Sequence, residues 1–92
     1  MASLKIELHG TAEVCRQVGI SLRQLEYWIL IGIVMPSLEP HGLKFFKRFN
    51  ENDIEILKQV KLLTDEGFLV SRALEKVRKE HPDLFTEDVS EK

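Results

Sequence analysis

The feature that most limits the fold of this chain is a pair of short helical segments separated by only Gly19 and Ile20. The first helix is predicted over residues 12–18. Thr11 caps its N-terminus, and Gly19 ends it. The second begins after Ser21 and carries one apolar face at helical spacing, formed by Leu22, Leu25, Trp28 and Ile29. Two short helices joined so closely cannot run parallel, and a tight turn that contains glycine is typical of a helix-turn-helix motif.

A short β-hairpin is predicted after the second helix. Two prolines and a glycine in residues 36–42 break helical structure. The β-branched and aromatic residues on either side favour two strands, over residues 33–35 and 44–49, with the tip at residues 39–42. The hairpin would form a wing beside the two helices.

Two further helices complete the predicted fold. The third begins at the cap Asn50 with acidic residues in its first turn, which complement the positive end of the helix dipole, and it ends at Gly67. The fourth runs over residues 70–80 and stops at His81-Pro82, because the residue before a proline disfavours helix. The predicted fold class is therefore mainly α, a winged helix-turn-helix of about four helices and a small two-stranded β-hairpin wing.

The charge of the chain is unevenly distributed along its length. The 92 residues are predicted to form one domain over residues 1–82, followed by an acidic, flexible tail at residues 83–92. The net charge of −2 argues against nucleic-acid binding. However, residues 16–49 contain five basic and two acidic residues, whereas residues 79–92 contain five acidic and two basic ones. The negative charge of an acidic tail can cancel the positive charge of a binding surface in the net charge, so the net charge does not reveal that surface.

The sequence lacks the motifs that are typical of several functional classes. No nucleophile elbow or phosphate-binding loop is visible, so we expect a protein that is not an enzyme. None of His9, His41 and His81 pairs with a cysteine or an acidic residue at ligand spacing on one predicted helix, so we expect no metal, cofactor or small-molecule ligand. The single cysteine, Cys15, fits a reducing cytoplasm, and no apolar run approaches the roughly 20 residues of a membrane span. We therefore expect a cytoplasmic protein without a membrane partner.

Residues 19–28, Gly-Ile-Ser-Leu-Arg-Gln-Leu-Glu-Tyr-Trp, resemble the signature of the MerR family of transcription regulators. That signature runs Gly, Val or Ile, Ser, any residue, Arg, any residue, Leu, Arg, Tyr, Tyr. Further stretches resemble the family's pattern in the same order and at its spacing, at residues 31–36, 46–49, 52–57 and 63–68. The resemblance covers residues 11–77 and implies a winged helix-turn-helix that binds double-stranded DNA and acts as a bacterial-type transcription regulator.

Three features depart from the family's pattern. Glu26 stands where the family usually has arginine, so an acid replaces a usual DNA contact. Phe46 and Phe49 replace two wing tyrosines, which removes two hydroxyl donors. Only about twelve residues follow the fourth helix, where the family normally carries a long dimerisation helix. Tight binding would then require a homodimer or a partner protein.

The candidate DNA contacts lie mainly on the second helix and on the wing. A recognition helix over about residues 21–31 would enter the major groove, where arginine forks onto guanine and glutamine onto adenine. Tyr27 points about 100° away from Trp28 on a helix, so one can be exposed while the other is buried. The wing, about residues 33–49, would hold the backbone, and Lys47 aligns with the family's wing arginine. The candidate set is Arg16, Ser21, Arg23, Gln24, Tyr27, Lys44, Lys47 and Arg48.

The sequence is also compatible with two other functions. The short length, the acidic balance and Glu26 are similar to the CbpM family, whose MerR-like helices bind and modulate DnaJ-type co-chaperones. Phage excisionase and terminase modules also use small winged domains, to bend or mark DNA. Each basic candidate has a plainer interpretation as a solvated surface residue, and Ser21 has one as a helix cap.

Overall fold

The computed structural model of the protein describes residues 8–85. Within these residues the chain forms a mainly helical fold with one two-stranded antiparallel sheet, as predicted. The elements in chain order are α1 Thr11–Val18, α2 Leu22–Leu30, β1 Ser37–His41, β2 Lys44–Arg48, α3 Glu51–Asp65, α4 Val70–Glu80 and a 3-10 helix Pro82–Phe85. The predicted class, a helix-turn-helix with about four helices and a β-hairpin, is confirmed.

The turn between α1 and α2 is built from Gly19 and Ile20, as the sequence predicts. Gly19 has a φ of 85°, a left-handed conformation that glycine adopts without strain, and α1 ends there. The N–H groups of Gly19 and Ile20 both donate to the Cys15 carbonyl, at 2.8 and 3.1 Å, which satisfies an otherwise free acceptor at the helix end. The Ser21 hydroxyl accepts the N–H of Gln24 at 3.0 Å, and this confirms Ser21 as the cap of α2.

The start of α1 differs from the prediction. Thr11 is the first helical residue rather than the cap, and Gly10 holds the cap position without a side-chain hydrogen bond. The cause lies just upstream, where the backbones of His9 and Phe49 exchange two hydrogen bonds of 2.8 and 2.9 Å. Because this bridge fixes where the chain leaves its extended conformation, α1 begins two residues after His9.

The first predicted strand is instead a linker that packs into the core. Helix α2 ends at Leu30, and Gly32 follows in a left-handed conformation with a φ of 90°. The N–H of Ile33 donates to the Trp28 carbonyl at 3.0 Å. Ile33 and Val34 are then both buried. Two consecutive buried residues do not fit a half-exposed strand, whose side chains alternate between faces. The strand β1 therefore begins only at Ser37.

The β1–β2 hairpin is closed by the two residues Gly42 and Leu43, so the tip predicted at residues 39–42 was placed too early. Gly42 has a φ of 66° whereas Leu43 does not have a positive φ, as in a type II′ turn. Pro40 lies inside β1 opposite Phe45, in the pair next to the closing pair. That pair of an antiparallel ladder exchanges no hydrogen bonds, so the missing N–H of proline costs nothing there.

Helix α3 is the centre of the core and packs against α1, α4 and the 3-10 helix. Asn50 and Asp53 cap it reciprocally: the Asn50 side chain accepts the Asp53 N–H at 2.7 Å, and the Asp53 carboxylate accepts the Asn50 N–H at 3.1 Å. This confirms Asn50 as the cap. The helix buries Ile54, Ile56, Leu57 and Val60. The rest of the core includes Val14, Val18, Ile20, Leu25, Trp28, Phe49, Ala73 and Val77.

Helix α4 ends at Glu80 as predicted, and the 3-10 helix that follows packs back onto the core. Leu84 and Phe85 are partly buried there, and the Arg78 guanidinium lies 5.4 Å from the centre of the Phe85 ring. Folded structure therefore extends past residue 82. The remainder of the predicted acidic tail, residues 86–92, lies outside the described residues, and the division at residue 82 stays a prediction. No helix within the described part of the chain is long and apolar enough to span a membrane.

Candidate nucleic-acid interface

Helix α2 turns one face into the core and the opposite face to solvent. Leu25 and Trp28 are 0% and 2% exposed, which confirms Trp28 as a core residue. Arg23 and Tyr27 lie four residues apart on the outward face, and Tyr27 is 51% exposed, as its offset from Trp28 predicts. Gln24 is exposed beside them. The first two turns of α2 thus present an arginine, a glutamine and a tyrosine together.

The first residues of α2 combine capping with exposure. Ser21 is exposed, and its hydroxyl oxygen accepts the Gln24 N–H, which leaves the hydroxyl hydrogen free to donate. Leu22 was predicted on the buried face but is 52% exposed. In the first turn it lies at the edge of the apolar face, and only the residues nearest the centre of that face, Leu25 and Trp28, reach the core.

Glu26 is exposed on α2, and helical spacing places it beside the face of Arg23 and Tyr27. Its charge acts on the thiol of Cys15, whose pKa is raised first by burial and further by Glu26. Arg16 is exposed in the last turn of α1, where a cation also interacts favourably with the negative end of the helix dipole. The acid that departs from the family's pattern therefore flanks the face of Arg23 and Tyr27 without occupying its centre.

The three basic residues of the hairpin lie on two different faces. The antiparallel register pairs His41 with Lys44 and Leu38 with Lys47. Since alternate residues of a strand share a face, Lys44 and Arg48 lie on one face and Lys47 lies on the other. The structure thus brings Lys44 and Arg48 to one side of the hairpin and separates them from Lys47.

Arg48 is held within the hairpin by its neighbours. Its Nε donates to the Glu39 carboxylate at 2.6 Å, and its guanidinium lies 5.8 Å from the centre of the Phe46 ring. This hydrogen bond from Arg48 lowers the pKa of Glu39 below its usual value. Within residues 8–85, Lys44 and Lys47 have no ion-pair partner. The two lysines therefore carry the uncommitted positive charge of the hairpin.

Residues 11–79 match the model of a protein family described as MerR HTH family regulatory protein. The chain belongs to the MerR family. The match spans both helices of the helix-turn-helix, the hairpin, α3 and most of α4. All five stretches in which the sequence resembles MerR proteins lie inside it. A search of curated proteins found no match.

Solved structures of MerR proteins share the fold of this chain. The crystal structure of a MerR-family transcriptional regulator from Bacillus cereus aligns over 91% of this chain and 56% of that one, with 15% identity and a TM-score of 0.66. HiNmlR, a MerR family regulator lacking the sensor domain and bound to promoter DNA, aligns over 86% of this chain and 65% of its own, with 22% identity and a TM-score of 0.59. At these identities the likeness concerns the fold alone, and this chain spans less than two thirds of either relative.

A polar cluster around His9 in this MerR-family domain was missed by the sequence analysis. His9 is 9% exposed, with its Nδ1 3.1 Å from a Glu13 carboxylate oxygen and its Nε2 2.8 Å from one of Glu51. The hydrogen bonds with Glu51 and Glu13 raise the pKa of His9 above its ordinary 6.5. The spacing of four residues to Glu13 was the available signal, whereas Glu51 is 42 residues away. No group of three side chains among the described residues is arranged to hold a metal ion.

An apolar groove beside Tyr27 was also missed. It lies between the end of α2 and the start of α4 and has a volume of about 400 Å³. Ile31 and Leu69 on its walls are 40% and 73% exposed. Helical periodicity does not reveal it, because these two residues stand at helix ends. The lining is completed by Ile33, Val70, Ser71 and Leu74.

Proposed function

We propose that this MerR-family chain is a transcription regulator that binds double-stranded DNA, with α2 in the major groove and the hairpin on the phosphate backbone. The observation that carries the proposal is the outward face of α2, where Arg23, Gln24 and Tyr27 are exposed together on a helix whose other face is buried. A recognition helix reads base edges with its first turns. Family membership and the DNA-bound relative HiNmlR support the same function.

In this proposal α2 supplies the base contacts, whereas the backbone contacts come from α1, α2 and the hairpin. Arg23 and Gln24 read bases, while Tyr27 and the free hydroxyl hydrogen of Ser21 donate to phosphates. The cations assigned to phosphates are Arg16, Lys44, Lys47 and Arg48, the last after release from Glu39. About four such contacts give a slope near −3.6 for log K against log salt. A single domain with so few contacts binds modestly, so tight binding requires a homodimer or a partner protein.

The test is fluorescence anisotropy of a labelled random-sequence duplex, titrated at low and moderate salt. We expect wild-type binding that weakens steeply with salt, and we expect Arg23→Glu with Lys47→Glu to abolish it. The matched control is Arg72→Glu with Lys79→Glu, which makes the same charge change on α4, outside the proposed interface. Equal binding by the interface variant and the wild type contradicts the assigned site. Absence of wild-type binding at low salt contradicts the function.

The apolar groove between α2 and α4 favours a second function, a protein-interaction module like the CbpM-type modulators of DnaJ-type co-chaperones. Exposed Ile31 and Leu69 provide apolar surface that DNA binding does not use, and such patches mark interaction sites. Calorimetric titration with a purified DnaJ-type co-chaperone separates the two functions. A chain that binds the co-chaperone and no duplex would replace the first proposal with the second.

A further inference from the structure

The tip of the hairpin carries a leucine that no other part of residues 8–85 covers. Leu43 is fully exposed, at 101%, in the turn directly after Gly42. Turn positions usually hold glycine, asparagine, aspartate or serine, so the stability of the turn does not explain a leucine there. The face of the hairpin that holds Lys47 exposes two more large apolar side chains, Leu38 and Phe45. No residue of β1 or β2 is buried, so this surface is not an extension of the core.

The charges around this apolar tip fit a polyanion. The only acid of the hairpin, Glu39, is bonded to Arg48 at 2.6 Å and lies 3.3 Å from His41 Nε2. Lys44 follows Leu43 directly, and within the described residues neither it nor Lys47 is engaged in an ion pair. A purely apolar partner would gain nothing from these cations. An apolar tip bordered by lysines suits a narrow groove with phosphates along its edges.

The dimensions of the hairpin determine which part of it can enter such a groove. Paired strands lie about 4.8 Å apart before their side chains are counted, and the minor groove of B-DNA is about 6 Å wide. The strands are therefore too broad to enter, whereas the single side chain at the two-residue turn is narrow enough. Proteins that bind the minor groove insert apolar side chains such as leucine between base steps, which unstacks the bases and kinks the duplex.

We propose that Leu43 inserts into the minor groove beside the site contacted by α2 and partly unstacks one base step, with Lys44 and Lys47 on the bordering phosphates. This inference rests on the proposed DNA binding and adds a second, sequence-sensitive contact to it. Pyrimidine–purine steps such as TA unstack most easily. The hairpin therefore favours duplexes that carry such a step beside the site of α2, although no side chain of the hairpin reads that step through hydrogen bonds.

The test uses the full chain and an alternating adenine–thymine duplex, in which every second step is TA, with 2-aminopurine at some adenine positions. The fluorescence of 2-aminopurine rises when the base loses its stacking. We expect saturating wild-type protein to raise it and saturating Leu43→Ala to leave it unchanged. Leu43→Ala should also bind roughly tenfold more weakly in anisotropy, with an unchanged salt slope because no phosphate contact is lost.

Two variants serve as controls. Lys44→Gln should keep the fluorescence rise at saturation but reduce the salt slope by about 0.9, since it removes one phosphate contact. Leu62→Ala, which truncates a leucine of α3 that is 55% exposed, should change neither quantity. Because Leu43 is fully exposed, its replacement should leave the melting temperature unchanged, which excludes unfolding as the cause of any loss.

The outcomes separate this inference from the proposed function. If Leu43→Ala binds and unstacks like the wild type, or if the wild type binds without a fluorescence rise, the inference is overturned and DNA binding stands. If the wild type binds no duplex, both are overturned. If Leu43→Ala binds DNA normally but loses binding to phosphatidylserine vesicles, the tip is a membrane contact and the inference is again overturned.

Discussion

Gly19 stands where the two helices of the motif meet, in a left-handed conformation that other residues adopt at a cost. A Cβ atom there would lie 3.6 Å from Lys61 Cε, an ordinary contact, so the cost of a substitution comes from the backbone. We expect Gly19→Ala to lower the free energy of unfolding by about 1–2 kcal/mol, measured by urea denaturation. Gly19→Asn should lose less, since asparagine tolerates this conformation better, and equal losses would contradict a backbone origin.

His9 makes the stability of the domain depend on pH. Its pKa is raised by the hydrogen bonds with Glu51 and Glu13, so the folded state holds the proton more tightly than the unfolded state does. The stabilisation is fully present below the ordinary pKa of 6.5 and is lost as the pH rises through the folded-state pKa. We expect the urea midpoint of the wild type to fall as the pH rises from 6.5 into the alkaline range.

The control for this pH dependence is His9→Gln, which keeps hydrogen-bonding capacity but does not titrate. The charged groups around His9 are Glu13 on α1, Glu51 on α3 and Arg48 on β2, whose Nη1 lies 2.8 Å from where a Cβ of Gly10 would be. Because the side chain introduced by His9→Gln does not titrate, the fall of the midpoint should be smaller in the variant. An identical fall in both proteins would show that His9 is not its source.

Among the elements, the hairpin differs from the four α-helices in that none of its strand residues is buried. An isolated two-stranded hairpin is marginally stable in water. We expect its amides to exchange hydrogen through local opening, much faster than those of α3, whose exchange requires unfolding of the core. Native-state hydrogen exchange by NMR measures this. The amides of His9 and Phe49, at the buried bridge, should exchange as slowly as those of α3, and equal protection throughout the hairpin would contradict local opening.

The same contrast explains which elements the sequence could predict. The bounds of α4 and the cap of α3 follow from local signals, namely apolar spacing, Asn50 and the proline after His81. The start of β1 does not, because Ile33 and Val34 have the composition of a strand and Pro40 argues against one. Burial of the linker in the core decides that assignment, and burial is a property of the whole fold.

For the molecule as a whole, the direction of side chains on α2 could be predicted and the partners of distant side chains could not. Helical geometry alone places Tyr27 outside when Trp28 is inside. In contrast, the bond between His9 and Glu51 joins residues 42 positions apart, and the bond between Arg48 and Glu39 depends on the hairpin register. The uneven charge is a sequence property, yet which cations stay uncommitted is known only once these bonds are known.

The backbone bridge between His9 and Phe49 separates the segment proposed to contact DNA from the helices that support it. Its two residues are forty positions apart, and the segment between them contains α1, α2 and the hairpin, hence every residue proposed to contact DNA. The bridge holds the two ends of that segment together, and α3 and α4 form the platform that supports it. Surface substitutions that alter what the segment recognises can therefore accumulate in one contiguous stretch of chain while the platform is unchanged. A new specificity can thus evolve, or be transplanted as a cassette, without redesign of the helices that support it.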